Sequence, residues 1–320
     1  MNALETLRLL ADLDRYMALL DKLGPVPSIG APYGTGSTTL PNIFFVDSVS
    51  GAATNDGRRP NQAVVTIDAA VGLCTANNGD IIVVLPGHVE VVDSANDLDL
   101  DVAGITVIGI GTGNARPQIS LRTAVGAQAR INAASVWLEN VVFTGDFDAI
   151  TIGLLVNGVT DVTLKNIEYR DVTGQIARFF SAANGSDRLT IDGLRYVGAA
   201  AAGTVVGLQF DGCDDLRVSN FDIDGNFSTG VFDFLTTLSA RIHIWNGHAW
   251  TQNAADGIFA APVAAVTGMI GPDIELALTD DAANGLAALA PASVFYCDPI
   301  YIVNAVNEKA LVTNKTASGL

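Results

Sequence analysis

Cysteine, histidine, methionine and tryptophan each occur only three times in 320 residues. Cys74, Cys213 and Cys297 are scattered, odd in number and without CxxC spacing, which excludes a disulfide framework or a cysteine zinc site and leaves buried thiols as the expectation. His88, His243 and His248 have no nucleophile at recognisable spacing, and GxSxG, HExxH and GxxxxGK[ST] phrases are absent, so hydrolases and kinases of those kinds are excluded. Basic residues are scarce, 17 Lys+Arg against 34 Asp+Glu, and a net charge of −17 repels nucleic acid and anionic membrane surfaces. No window approaches the roughly 20 apolar residues of a membrane span. The first apolar stretch is broken by Glu5, Arg8, Asp12 and Asp14, which leaves no signal-peptide core. The chain is therefore expected to be soluble and not exported through the general secretory route. Aromatics reach only 7% while hydrophobic residues make up 49%, so Ala, Val, Ile and Gly supply the apolar mass. That balance favours β-branched strands and tight corners over a leucine-rich bundle.

What is present falls into four regions. Residues 1–23 read as a helix, with Leu9, Leu13, Tyr16, Leu20 and Leu23 at alternating spacings of four and three. A helix of this length is marginal alone, so it packs either against copies of itself or a partner, or as a cap on its own body. Gly24 ends it, and residues 24–42, rich in glycine and proline and free of charge, read as an extended arm. From residue 43 to about 300 the chain is short strands punctuated by Gly, Asn and Asp, with one short helix expected at about 66–76. Residues 301–320 read as a tail, and ASVFYCDPIYIVNAV before and into it as a terminal strand pair or cap.

One phrase recurs through the third region: ITVIGI, VWLENV, VTLKNI, LTIDGL, LRVSNF and IHIWNG, with a degraded copy in TGMIGP. Its Asn/Gly anchors are Gly109, Asn140, Asn166, Gly193, Asn220, Asn246 and Gly271, separated by 31, 26, 27, 27, 26 and 25 residues, with Gly87 as an earlier copy. Asn and Gly tolerate the left-handed backbone of a sharp corner. A unit of about 26 residues is too short for a βαβ crossover and its next strand but fits one coil of a parallel β-helix. About eight coils stacked at roughly 4.8 Å make a rod near 40 Å long. The stretch ITVIGIGTGNARP (105–117), which resembles a phosphate loop at first sight, is a corner in this frame: its glycines are spaced GxGxG, no helical pattern follows, and Pro117 interrupts it.

Counted from each anchor, positions −4 and −2 are almost wholly apolar and +1 and +3 mostly so, which points them inward. Position +2 points outward and reads Glu168, Arg195, Asp222, His248 and Asp273, a polar ladder partly alternating in sign. Within it Asp222 and Asp273 stand two coils apart, roughly 9.6 Å by strand spacing, near the upper end for an inverting carboxylate pair. A solvated charge ladder is the plainer reading of the same residues. Asp146 with Asp148, and Asp211 with Asp214 and Asp215, are comparable loop carboxylates. DIDGNFSTGVFD (222–233) has calcium-loop oxygen spacing, but Phe227 stands where glycine is needed and no helices flank it, so no metal site is expected. Trp137, Trp245 and Trp250 fall at outward positions, as a subunit interface or a sugar-stacking surface requires.

The segment VDSVSGAATNDGRRPNQAVVTIDAAVGLCTANNGDIIVVLPGHVEVV resembles the opening of the pectate-lyase-like right-handed parallel β-helix superfamily, with its strand, short capping helix and GDxIxVxPG rung. The resemblance implies an all-β, right-handed β-helix. It implies no activity, because the pectin-esterase phrases QAVA, DFIFG and LGRPW and the aspartate cluster with a basic pair of pectate lyases are missing. A β-helix behind an N-terminal helix and a glycine-rich arm also resembles structural proteins of tailed-phage virions. On that resemblance the chain is expected to be a non-enzymatic, trimeric head-decoration protein, made in the host cytoplasm and located in the virion. Its N-terminal segment would anchor it to the major capsid protein or other virion proteins, with no cofactor, no nucleic acid and no membrane. The alternative is a trimeric tailspike-like protein that binds or cleaves a host surface glycan through a pair such as Asp222 and Asp273 and the tryptophans.

Overall fold

A computed structural model describes residues 41–171, 176–199, 204–251, 258–261, 265–278, 287–289, 293–297, 300–303 and 309–312. The chain divides into two units, Met1–Leu40 and Pro41–Leu320. The helix expected over 1–23, with Leu9, Leu13, Tyr16, Leu20 and Leu23, and the arm up to residue 40 lie outside the described residues.

The second unit is a parallel β-helix. Its coils contribute strands to three faces, and along each face the strands pair in parallel from one coil to the next. The first face runs from Ile43–Val46 through Ile81–Val84, Thr106–Gly109, Trp137–Glu139, Thr163–Lys165 and Thr190–Asp192. The second runs from Val89–Val92 through Gln118–Leu121, Val142–Gly145, Glu168–Asp171 and Arg195–Val197. In the next two coils the first and second faces merge into the long strands Arg217–Gly225 and Ser239–Thr251. The third face is a separate eight-stranded sheet from Leu98–Leu100 to Ala287–Leu289. Among the described residues eight coils carry a strand on the third face, and the in-register steps Trp137, Thr163, Thr190, Arg217 and His243 carry the spacing of about 26 residues.

Inward positions behave as the pattern requires. The residues at −4 and −2 from Ile105 to Ile244, and those at +1 and +3 from Val141 to Ile223, are 3% exposed or less, whereas Ile110 and Thr112 after Gly109 lie in the loop and are not buried. Burying such β-branched columns at about 25 cal/mol per Å² is what pulls the chain into coils. Aromatics stack along the interior: Tyr169 lies 4.7 Å from Phe179 and 4.8 Å from Tyr196 between ring centroids, and Phe210 stacks on Phe234 at 5.4 Å.

The frame slips at its two ends. Val84, not Gly87, pairs with Gly109, and the first two corners are the loops 85–88 and 110–117 rather than single residues. Gly109 itself is not left-handed; a Cβ there would lie 2.3 Å from the Asn140 carbonyl, so close backbone approach demands the glycine. The expected helix is only Ile67–Val71, capped by the Thr66 hydroxyl on the Ala69 amide and ended at Gly72. Past residue 293 the chain continues the coil, with Val294–Cys297 and Ile300–Val303 in parallel with the preceding coil, and Ile300–Val303 forms a terminal antiparallel strand pair with Lys309–Val312. The β-helix therefore extends beyond the boundary expected at 300.

The first turn of the helix is tied into the body by buried polar groups. Glu90 accepts the Ile67 amide at 2.9 Å, and His88 Nε2 lies 3.1 Å from the same carboxylate. His88 Nδ1 accepts the Ser48 amide at 3.0 Å, which places the proton on Nε2. Asp80, fully buried, accepts from the Asn42 and Thr75 amides and from the Asn78 side chain. These residues of the DIIVVLPGHVEVV phrase serve the cap.

Candidate functional site

The corner between first and second faces is built from left-handed residues: Asn140, Asn166, Gly193, Asn220, Asn246 and Asp273 all have positive φ. Their side chains form a directional ladder in which each Asn Nδ2 donates to the preceding coil. Asn140 donates to the Gly109 carbonyl at 2.7 Å, Asn166 to Asn140 Oδ1 at 2.8 Å, Asn220 to Asp192, and Asn246 to Asn220 Oδ1. A second left-handed column, unnoticed in the repeat, precedes the first face: Ser135, Asp161, Arg188, Asp215 and Arg241. There Arg188 holds Asp161 at 2.6 Å and Arg241 holds Asp215 at 2.7 Å, and these bonds keep both carboxylates below the ordinary value.

The outward +2 column is a charge ladder in its middle. Glu168 is almost fully buried and meets three guanidinium groups, Arg170 at 2.7 Å, Arg116 at 2.9 Å and Arg195 at 3.2 Å. Burial pushes its carboxyl up, but the hydrogen bond and charge of Arg170, with the charges of Arg116 and Arg195, hold it below the ordinary value. Arg116 reaches Glu168 because the loop at 110–117, the stretch with three glycines, carries it over the second face. Arg195 continues to Asp222 at 4.0 Å, and Asp222 to His248 at 3.3 Å.

After His248 this column reads Glu275, not Asp273. Asp273 occupies the corner, with φ +58°. The pairing of Asp222 with Asp273 in one outward column is therefore corrected: Gly271, taken as the last anchor, lies two residues before the true corner, so +2 from it falls on the corner. An open depression of about 450 Å³ spans the corners of three successive coils here, lined by Asn220, Phe221, Asn246, His248, Asp273 and Glu275 together with Gly247 and Ile274.

The tryptophans do not converge. Trp137 donates to Glu139 at 2.9 Å with Lys165 over its ring, four coils from the His243 that shares its column. Trp245 stacks on His243 with centroids 4.1 Å apart, and Trp250 lies on the second face beside Asp224. All three are half-buried. The 222–233 segment is two strands, not a cation loop: Asp222 faces out from the second face, while Asp233 accepts from Gln209 on the third. Among the described residues no group of three His, Cys, Asp or Glu side chains could hold a metal ion. Cys74 and Cys213 are free thiols pushed up to about 12 by burial.

One group escaped the repeat analysis. Asp171 stands at inward parity on the second face, in a column otherwise filled by Leu121, Gly145, Gly198 and Gly225. Its carboxyl is pushed up to about 6 by burial, with the charges of Asp148 and Asp146 adding to the effect. The Ala199 amide and the Tyr169 hydroxyl lie near enough to temper that rise, but neither is aligned to give Asp171 a well-formed hydrogen bond among the described residues. A charged residue between glycines at +5 is the signal that marks it in the sequence. Asp146, next to it, accepts from Ser120 at 2.5 Å.

Fold and surface together define a parallel β-helix protein whose outward columns are largely paired with one another. No protein-family model and no curated protein matches the chain. Among solved structures it is similar to a rhamnogalacturonan lyase, with a TM-score of 0.52, 11% identity, and coverage of 85% of this chain and 89% of that one. It is also similar to a GH136 lacto-N-biosidase from Eubacterium ramulus, with a TM-score of 0.42, 10% identity, and coverage of 82% and 67%. At these identities the likeness to the lyase carries the β-helix fold alone. No helix among the described residues is long and apolar enough to cross a membrane.

Proposed function

We propose that the chain is a non-enzymatic structural protein of a tailed-phage virion: a trimeric head-decoration protein whose N-terminal segment docks on capsid subunits and whose β-helix is the displayed body. The observation that carries this reading is that outward side chains are committed to their neighbours along the coil axis. Glu168 holds three arginines, Asp161 and Asp215 each hold one, and the corner asparagines bond to each other. Such columns fix register and stiffness, which is what a load-sharing surface protein needs. A second reading, a tailspike-like protein acting on host glycan, is favoured by the open depression of about 450 Å³, whose lining carries the exposed carboxylates Asp273 and Glu275.

Copy number in purified particles, by quantitative mass spectrometry against the major capsid protein, tests both. A count that scales with the capsid lattice is expected. A handful of copies per particle, with cleavage of host polysaccharide that Asp273→Asn abolishes, would replace the first reading by the second. Absence from particles overturns both.

A further inference from the structure

We propose that Asn78 is a site of spontaneous deamidation whose products unlock the first coil. Asparagine is a chemically labile residue, and most so before glycine, which has no side chain to shield its amide nitrogen and bends freely. Four such pairs fall among the described residues: Asn78–Gly79, Asn157–Gly158, Asn184–Gly185 and Asn246–Gly247. In three of them the glycine amide is tied. Gly158 donates to the Ala183 carbonyl at 2.9 Å and to the Ser186 hydroxyl at 3.1 Å, Gly185 to the Asp211 carbonyl at 3.4 Å, and Gly247 to the Asp273 carbonyl at 2.9 Å. The Gly79 amide has no acceptor among the described residues.

Local room points the same way. Gly79 is half-buried in the turn before Ile81–Val84, and a Cβ there would meet only the Pro41 ring, at 3.8 Å. Gly247, by contrast, sits within a strand with the Phe221 ring 2.5 Å from a Cβ. Asn78 Nδ2 donates to Asp80 Oδ1 at 2.6 Å, a bond that spans Gly79 and lays the side-chain amide along the peptide that attacks it. In the reaction the Gly79 nitrogen gives its proton to a base in solvent and bonds to Asn78 Cγ. The Cγ–Nδ2 bond breaks, and ammonia leaves with a proton from water. A second water opens the five-membered succinimide at either carbonyl, giving aspartate or isoaspartate, and water is the one co-reactant.

The product lands where the fold tolerates it least. Asp80 is fully buried, and four donors hold its carboxylate: the Asn42 amide at 2.7 Å, Asn42 Nδ2 at 3.0 Å, the Thr75 amide at 2.7 Å and Asn78 Nδ2. Deamidation replaces the last of these donors by an anionic oxygen, so a hydrogen bond becomes a contact between two carboxylates. Isoaspartate also adds a methylene to the backbone of a tight turn, whose Asn77 amide is bonded to the Ala103 carbonyl at 2.7 Å. Asp80 is pushed off Asn42 and Thr75, and the coil loosens where Ile43–Val46 begins. The chemistry needs no partner and stands apart from the proposed virion role.

The full chain is incubated at pH 7, 8 and 9, and peptide mass spectrometry follows the four asparagines. Asn78 is expected to convert at least about 5-fold faster than the other three, whose glycine amides react only from locally opened states. Its rate is expected to rise about 10-fold per pH unit, since the attacking nitrogen must lose its proton. Calorimetry of the aged chain, returned to pH 7, is expected to show a transition at least about 3 °C below that of fresh protein, growing with the converted fraction, and fresh Asn78→Asp is expected to melt there too. Asn78→Ser, which has no amide to lose, is expected to keep its own Tm through the same ageing. Conversion of Asn78 no faster than of the other three, or an aged chain whose Tm is unmoved by that conversion, overturns the proposal.

Discussion

Asp171 is the residue where the fold and its own chemistry conflict. A carboxyl with an ordinary value of 3.8 is pushed up to about 6 by burial and by Asp148 and Asp146. Between those values the folded chain holds a proton that the unfolded chain releases, so this group lowers stability as pH climbs from about 4 to 6, and the deficit is complete above 6. Asp171→Asn is expected to stabilise the protein at pH 8 by about 1 kcal/mol, a figure discounted for solvent screening, and to change little at pH 4. Urea unfolding of both proteins at the two pH values checks this, and equal differences at both would remove the carboxyl as the cause. Asp161, Asp215 and Glu168 act in the opposite sense, contributing stability that is lost as pH falls through their lowered values. They are common to both proteins and cancel in the comparison.

Corners decide the behaviour of the elements. Asn166 combines a left-handed backbone with a rung of the ladder, so Asn166→Ala loses both and is expected to cost about 2 kcal/mol, while Asn166→Gly, which keeps the backbone freedom, costs about 1. Thermal unfolding of the two variants gives the order, and alanine as mild as glycine would refute the corner argument. The same chemistry explains what the sequence made legible. Inward columns were readable because strand alternation and coil period coincide on Val107, Leu138, Leu164, Ile191, Val218 and Ile244. The end anchors slipped because the first corner is the loop 85–88 rather than one residue, with Val84 in register with Gly109, and because Gly271 has the positive φ of a corner while Asp273 holds the place. That two-residue error put Asp273 in the wrong column and with it the proposed carboxylate pair. The third-face stack was unreadable for a different reason. Its column Leu154, Phe180, Leu208, Phe232 and Phe259 falls 14, 14, 15, 12 and 13 residues after successive corners, so the intervening turns erase any fixed offset.

At the scale of the molecule, the boundary between the two units falls just before the first polar lock of the β-helix, where Asn42 bonds to Asp80. Deleting residues 1–40 spares that lock and is expected to shift Tm by no more than a few degrees while lowering the assembled mass to that of a monomer. Light scattering and calorimetry read the two effects separately, and a chain that fails to fold would make the N-terminal segment a cap of the core.

The coil columns carry a last consequence. Thr163, Leu164 and Lys165 face Thr190, Ile191 and Asp192 in perfect step, so excising residues 163–189 would join two chain ends that already occupy equivalent places one layer apart. Gene segments of this length can therefore be lost or duplicated without disturbing either end of the stack. The height of the β-helix is then a quantity that evolution can adjust one storey at a time.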